Sequence, residues 1–471
     1  MIGDLGAEDA TALAGLVARG EVTPTELLDA ALAAVEARNP ALNAVVLMQE
    51  GVARQAIADG LPPGPFRGVP FLIKDLGIEA KDFPSHNGSR LLANTVYRGD
   101  SSIFTRIKAT GVVTFGRTTS PEGGIGAATE AAVYGGPTRS PWSPEHTSGG
   151  SSGGAGAAVA AGIVAMAHGS DGGGSVRIPA SSCGLFGFKP TRARLPDGPY
   201  AGEGWAGMAI DGFLTRSVRD TAVMLDACEG ADLGAPYFAP PLGQGHAAAI
   251  SCPPRRLRVA IPEVAEAVRA AGQLLESLGH HVTPARPMAD VPRMMRAWTD
   301  IVAVGTALGI RHALKGRPLT EDLVEGVGRG AVAHAETLHP TRYLAAVGDI
   351  HAFGRQMARF FEPESGGGPD ILLTATLAEP PARVGRFAHT TTDYVAYRTG
   401  PEGIFAYSPF CALFNASGQP AASLPLGWSK DGLPIGVHLA AAFGQDETLI
   451  ALCAEVERAA PWGGKRAPMA V

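Results

Sequence analysis

Short apolar runs that read as buried strands alternate with helical stretches over most of this chain, and that alternation limits what it can fold into. The strand-like runs include "GVPFLIKDL" at 68–76, "VVTFGRT" at 112–118, "IVAMAHGSD" at 163–171, "RLRVAI" at 256–261 and "DILLTAT" at 370–376. Between them lie helical segments such as "SIFTRIKATG" at 102–111, "GGAGAAVAAG" at 153–162 and "VAEAVRAAGQLLESLG" at 264–279. "TPTELLDAALAAVEARNP" at 23–40 carries a full set of helix signals. Thr23 serves as N-cap with Glu26 three residues on, Pro24 takes the first turn, and Pro40 marks the end. Leu27, Leu28, Ala31, Leu32 and Val35 form its apolar face. "ASLPLGWSKDGLPIGVHLAA" at 422–441 reads as a hairpin turning at Lys430-Asp431-Gly432, followed by a helix at 446–460. The pattern predicts an α/β fold: a large, mixed, twisted β-sheet covered by helices on both faces. A single domain over 1–471 is expected, with a more helical elaboration at about 235–370 placed to cover a pocket.

Composition closes off several function classes. The net charge is −6 and no basic run tracks a phosphate backbone, so a nucleic-acid partner is disfavoured. Five scattered cysteines, none in a C-x-x-C pair, read as reduced core residues with neither a disulfide framework nor a metal site. The longest apolar stretch, 155–167, is too short to span a bilayer, and the acidic N-terminus lacks a signal-peptide layout. The expected setting is cytoplasmic.

Lys74 poses the sharper question, because an ammonium group ends a run that otherwise belongs in a core. Either it reaches solvent or pairs with Asp75, or burial strips its proton. Two glycine-dense stretches bear on the choice: "TSGGSSGGAGAAVAAG" from Thr147 and "GSDGGGSVRIPAS" from Gly169. A flexible linker fits poorly beside flanking apolar elements. A phosphate loop lacks its lysine, and a dinucleotide loop has Val159 where its third glycine belongs. Gly149, Ser151 and Gly153 satisfy G-x-S-x-G, but none of His280, His281 and His389 downstream sits in a pattern that marks a base. No H-E-x-x-H zinc motif occurs. What remains is a serine hydrolase whose base is a neutral lysine. The peptides of Gly172-Gly173-Gly174, free of Cβ atoms, could turn their N–H groups to one point.

Lys74, "GGSSGG" and "GSDGGGSVRIPASSCGLFGFKPT", in this order and with serines 24 positions apart, resemble the amidase signature family of Ser–cisSer–Lys hydrolases. The resemblance runs over nearly the whole chain to "FNASGQPAASLPLG…GLPIGVHL". It implies that Ser175 is the nucleophile, Ser151 the bridging serine and Lys74 the base. It further implies an oxyanion hole from the N–H groups of Gly172, Gly173, Gly174 and Ser175, with Asp171 and Arg177 holding the loop and Ser152 in support. No metal or organic cofactor is needed, and homodimers are common among such enzymes. "AHGSD", "VRIPASSCG", "GRPLTEDLVE" at 316–325 and the closing "AAPW" are most similar to the branch that opens 6-aminohexanoate cyclic dimers. The implied substrate is a small or oligomeric amide, with carbamates and esters also within the chemistry. "TTSPEGGIGAATE" at 118–130 resembles a substrate-lining loop, with Gly123, Gly124 and Ile125 on the wall. Gly123 stands where an aromatic residue is common and Thr119 where asparagine is, which implies either a roomier pocket or a neighbour that fills the space. Two alternatives share the fold: the A subunit of a glutamyl-tRNA amidotransferase, disfavoured by Ile178 in "VRIPA", and a non-catalytic binding protein.

Overall fold

In the computed structural model, which describes residues 6–262, 266–362 and 366–470, the strand-like runs fall into one large sheet. In chain order the strands are β1 (Val45–Val46), β2 (Pro70–Lys74), β3 (Val113–Thr118), β4 (Arg139–Ser140), β5 (Ser143–Thr147), β6 (Met166–Asp171) and β7 (Phe186–Lys189). They continue with β8 (Ile210–Thr215), β9 (Arg258–Ile261), β10 (His281–Pro284), β11 (Ile371–Ala375), β12 (Ala421–Trp428) and β13 (Pro434–Ala441). Eleven of them form a sheet of order β1-β3-β2-β6-β8-β7-β12-β13-β11-β9-β10, while β4 and β5 pair separately. The sheet is mixed, as predicted: β3, β2 and β6 run parallel, the middle pairs are antiparallel, and β11, β9 and β10 are parallel again.

Both faces are covered, and the period of two along each strand shows it. Phe71 and Ile73 of β2 join one continuous core with Ile371 and Leu373 of β11 and with Val437 and Leu439 of β13. Leu72, from the opposite face of β2, joins a second core with Val113, Phe115 and helix Gly153–Ala160. Leu372 and Ala440 face a third core built from the long helices after β10. The second and third cores share one face of the sheet and leave a seam between them.

Helix Pro24–Leu42 begins as the sequence predicts, with a reciprocal Thr23–Glu26 capping box. Its end does not, since Pro40 lies inside the last turn. Asn39 anchors that turn: its Oδ1 accepts the N–H groups of Ala44 and Val45 at 2.8 Å, and its carbonyl accepts from left-handed Asn43 at 2.7 Å. The 422–441 hairpin is present, and the helix expected from 264 is described as Glu266–Ser277; Val264 and Ala265 lie outside the described residues. The stretch at 235–370 does two things. β9, helix Glu266–Ser277 and β10 extend the sheet edge, whereas helices Val291–Leu314, Gly326–Thr337 and Pro340–Phe361 pack over one face. Of the five cysteines, which are all free, Cys252 is exposed and so departs from the core placement expected for it. No helix among the described residues is long and apolar enough to cross a membrane.

Candidate active site

β2 and β6 are parallel neighbours that end side by side, Lys74 closing one and Asp171 the other. Crevices at the carboxyl ends of such strands are where α/β folds place their ligands. Lys74 lies on the seam face and is completely buried. Its Nζ is 2.7 Å from Ser151 Oγ and 2.9 Å from Ser170 Oγ. Asp75 turns the other way and accepts from Ser85 Oγ, the His86 N–H and the Tyr134 hydroxyl, so the pairing with Lys74 does not occur. Burial lowers the Lys74 pKa to about 7, against the opposing pull of Asp211 and Asp171. Burial takes Lys189 to about 7 as well, but its Nζ donates to the Pro190 carbonyl. A depressed pKa therefore does not by itself mark a base; what sets Lys74 apart from Lys189 is its two serine hydroxyl neighbours.

Ser151 follows a cis peptide bond from Gly150 and immediately precedes the turn into helix Gly153–Ala160. Its neighbour Ser152 stitches the two glycine-rich stretches together. The Ser152 hydroxyl donates to the Ser170 carbonyl and accepts the Ser170 N–H, both at 3.2 Å, and its N–H donates to the Ser175 carbonyl at 3.2 Å. Ser170 was missed by sequence reasoning. Leu72 pairs with Ala167 across β2 and β6, which brings positions 168 and 170 alongside Lys74. The backbone N–H of Lys74 donates to His168 Nδ1, so strand register is the signal that would have found Ser170.

The loop between β6 and helix Arg177–Cys183 hangs on a buried ion pair. Asp171 accepts from Arg177 Nε at 2.9 Å and Nη2 at 2.8 Å, and from Asn415 Nδ2 at 2.9 Å. Burial alone would raise the Asp171 pKa, but the Arg177 charge and these hydrogen bonds hold it well below the ordinary range. Arg177 also donates to the Cys411 carbonyl and Asn415 Oδ1. One expected oxyanion donor is already engaged: the Gly174 N–H donates to Asp171 Oδ1 at 2.8 Å. The N–H groups of Gly172, Gly173 and Ser175 have no acceptor among the described residues. Asp171→Ala is expected to cost about 3–5 kcal/mol in urea unfolding, because it leaves the Arg177 guanidinium buried and unpaired.

A cavity of about 280 Å³ opens over these groups, with Ser151, Ser170, Gly172 and Ser175 on its wall. Gly123 and Gly124 line it as expected, whereas Ile125 is packed in the third core and is not among the lining residues. A Cβ on Gly123 would meet only Ile125 Cγ1, at 4.0 Å, so no neighbour fills that space. Thr119 is remote from the wall, bonded to Thr138 Oγ1 at 2.6 Å. No described residue of 235–370 lines this cavity. No histidine lines it either; His280 pairs with Glu455 and His389 with Glu325 elsewhere. Three carboxyl groups do: Glu79, Asp197 and Asp211. Burial, with the nearby charge of Asp211, pushes Asp197 up to about 7.

The comparisons with known proteins give the family. The sequence matches the family model described as Amidase over residues 26–450. It is 38% identical to the 6-aminohexanoate-cyclic-dimer hydrolase of Paenarthrobacter ureafaciens, covering 98% of this chain and 96% of that one. A solved structure of 6-aminohexanoate cyclic dimer hydrolase complexed with substrate superposes with a TM-score of 0.91 at 36% identity, covering 99% of this chain and 100% of the other. A bacterial aryl acylamidase superposes with a TM-score of 0.83 at 27% identity, covering 97% of this chain and 96% of the other. The chain is an amide hydrolase that belongs to the amidase signature family.

Proposed function

We propose that the chain cleaves carboxylic amides of small or oligomeric substrates through an acyl-enzyme on Ser175, with Ser151 as proton relay and Lys74 as base. The observation that carries this reading is the buried Lys74 amine 2.7 Å from the Ser151 hydroxyl, on the cavity that Ser175 also lines. A neutral amine has one lone pair and two N–H groups. The lone pair takes the Ser151 proton while an N–H holds Ser170 Oγ. Ser151 in turn takes the Ser175 proton as Ser175 Oγ bonds to the substrate carbonyl carbon. The resulting oxyanion faces the free N–H groups of Gly172, Gly173 and Ser175. The proton returns through Ser151 to the departing nitrogen, the C–N bond breaks, and the amine leaves. Water then adds to the acyl-enzyme by the same relay and releases the acid.

Neither relay nor oxyanion donors distinguish an amide from a carbamate or an ester, so urethane cleavage belongs to the proposal. The open space at Gly123 suits a bulky or cyclic acyl group. The carboxyl-lined wall favours neutral or cationic substrates over anionic ones. Presenting one scaffold as amide, carbamate and ester, with products followed by mass spectrometry, tests the reading. All three are expected to be cleaved by the parent chain and none by Ser175→Ala. Amide cleavage alone would remove the carbamate and ester part; equal cleavage by the variant would overturn the nucleophile.

A further inference from the structure

The three N–H groups free to meet an oxyanion belong to three peptide units, and each unit is gripped at its carbonyl. Asn415 Nδ2 donates to the Asp171 carbonyl at 2.9 Å, Trp298 Nε1 to the Gly172 carbonyl at 3.2 Å, and the Ile178 N–H to the Gly174 carbonyl at 2.7 Å. These units are trans, the two cis bonds among the described residues lying elsewhere. In a trans peptide the C=O and N–H point in opposite directions, so a hydrogen bond to the carbonyl fixes where the N–H aims. Ile178 belongs to the loop's own helix and Asn415 to the Asp171–Arg177 cluster. Trp298 is different, because it arrives from helix Val291–Leu314 in the third core.

The indole has little freedom to move. It is about 1% exposed, the Arg398 guanidinium lies over its ring at 4.2 Å, and Phe405 and Trp205 meet it edge-on at 5.3 and 5.6 Å. The glycines of the loop are shaped to receive it. A Cβ on Gly173 would lie 3.0 Å from Trp298 Cζ2, and one on Gly172 would lie 2.5 Å from Trp205 Cζ3. Gly172 and Gly173 are therefore seats for two indoles.

We propose that Trp298 is a positioning residue for the hydrolytic reaction: by holding the Gly172 carbonyl, its indole N–H aims the Gly173 N–H at the oxyanion that forms on the substrate. The proposal rests on the Ser175 acyl-enzyme reading. A peptide whose carbonyl accepts a hydrogen bond is also polarised, which strengthens its N–H as a donor. The effect grows as charge develops on the carbonyl oxygen, so it stabilises the transition state more than the bound substrate.

Two variants test it: Trp298→Phe, and incorporation at Trp298 of β-(3-benzothienyl)alanine, which keeps the indole shape and replaces its N–H with sulfur. The readouts are kcat, KM, and inhibition by two analogues of one amide scaffold. One is a trifluoromethyl ketone that forms a tetrahedral oxyanion adduct with the serine; the other is an inert ether. Both variants are expected to lose about 10- to 100-fold in kcat, with the ketone weakened by the same factor. KM and ether binding should stay within about twofold of the parent. Unchanged kcat in the benzothienyl variant, or equal weakening of ketone and ether, would overturn the proposal, the second outcome showing only a deformed pocket. Fluorophosphonate labelling of the parent separates the two levels. A parent that hydrolyses amides without labelling at Ser175 defeats the nucleophile reading and this proposal together. A labelled parent with fully active variants defeats this proposal alone.

Discussion

Ser175→Ala is expected to lower kcat for an amide by on the order of 10⁵-fold or more, the scale seen when a serine nucleophile is removed. The residual rate would come from oxyanion donors and substrate positioning, both supplied by backbone groups that alanine leaves in place. Stability should be nearly untouched, within about 0.5 kcal/mol, because the carbonyl of residue 175 still accepts the Ser152 N–H and the Asp171–Arg177 pair does not involve the hydroxyl. That separation matters, since Asp171→Ala would also abolish turnover, but by loosening the loop. The decisive readout is intact mass with a slowly hydrolysed ester. The parent should accumulate an acyl adduct and the variant none; an adduct on the variant would place the nucleophile elsewhere.

Lys74→Met should lower kcat/KM on the order of 10³- to 10⁴-fold, at the upper end for a general base. Methionine fills the apolar course of the side chain without an amine, so the loss would be chemical. The pH profile gives the sharper check. With the Lys74 pKa lowered to about 7, the neutral amine dominates above that pH and falls about tenfold per unit below it. Parent kcat/KM should therefore rise with pH and level off near 7, and the methionine variant should lose that acid limb. Lys74→Arg should not rescue activity, because a guanidinium keeps its proton. Folding carries the same signature. The unfolded lysine stays protonated up to about 10.5 and the folded one only up to about 7, so in that window the unfolded state binds the extra proton. Stability consequently rises with pH across the window, and Lys74→Met should remove that part of the slope. A parent whose acid limb survives the substitution would assign the limb to another group.

What could be read from the sequence was what lies close along the chain. The capping box at Thr23, the strand ending in Lys74, the helix after Ser152 and the hairpin near the C-terminus all depend on neighbours a few residues apart, and the structure contains each of them. Ser151, Ser175 and Lys74 could be named because motif spacing marks them, and the structure sets Ser151 against Lys74 with Ser175 on the same wall. The groups that were missed act across long separations. Ser170 reaches Lys74 through strand register, while Trp298 and Asn415 reach the glycine loop from 126 and 244 positions away. Ile125 was placed on the wall by adjacency to two lining glycines. The left-handed Gly123 and Gly124 turn the chain there, and the side chain that follows points into the core. The bond from the Gly174 N–H to Asp171 could not be read for a related reason: nothing local says that a carboxylate three residues earlier will accept it.

The carboxyl wall of Glu79, Asp197 and Asp211 bears on what leaves the pocket as well as on what enters it. An uncharged amide enters without meeting a charge of either sign on itself. Hydrolysis turns it into a carboxylate and an ammonium group, and the same wall that tolerated the whole repels one half and attracts the other. The acid half is expected to leave more readily than the amine half, and a free carboxylate to be a weak product inhibitor. As the pH rises through about 7 and Asp197 ionises, this sorting of products should sharpen, while the equilibrium of the hydrolysis stays where it was.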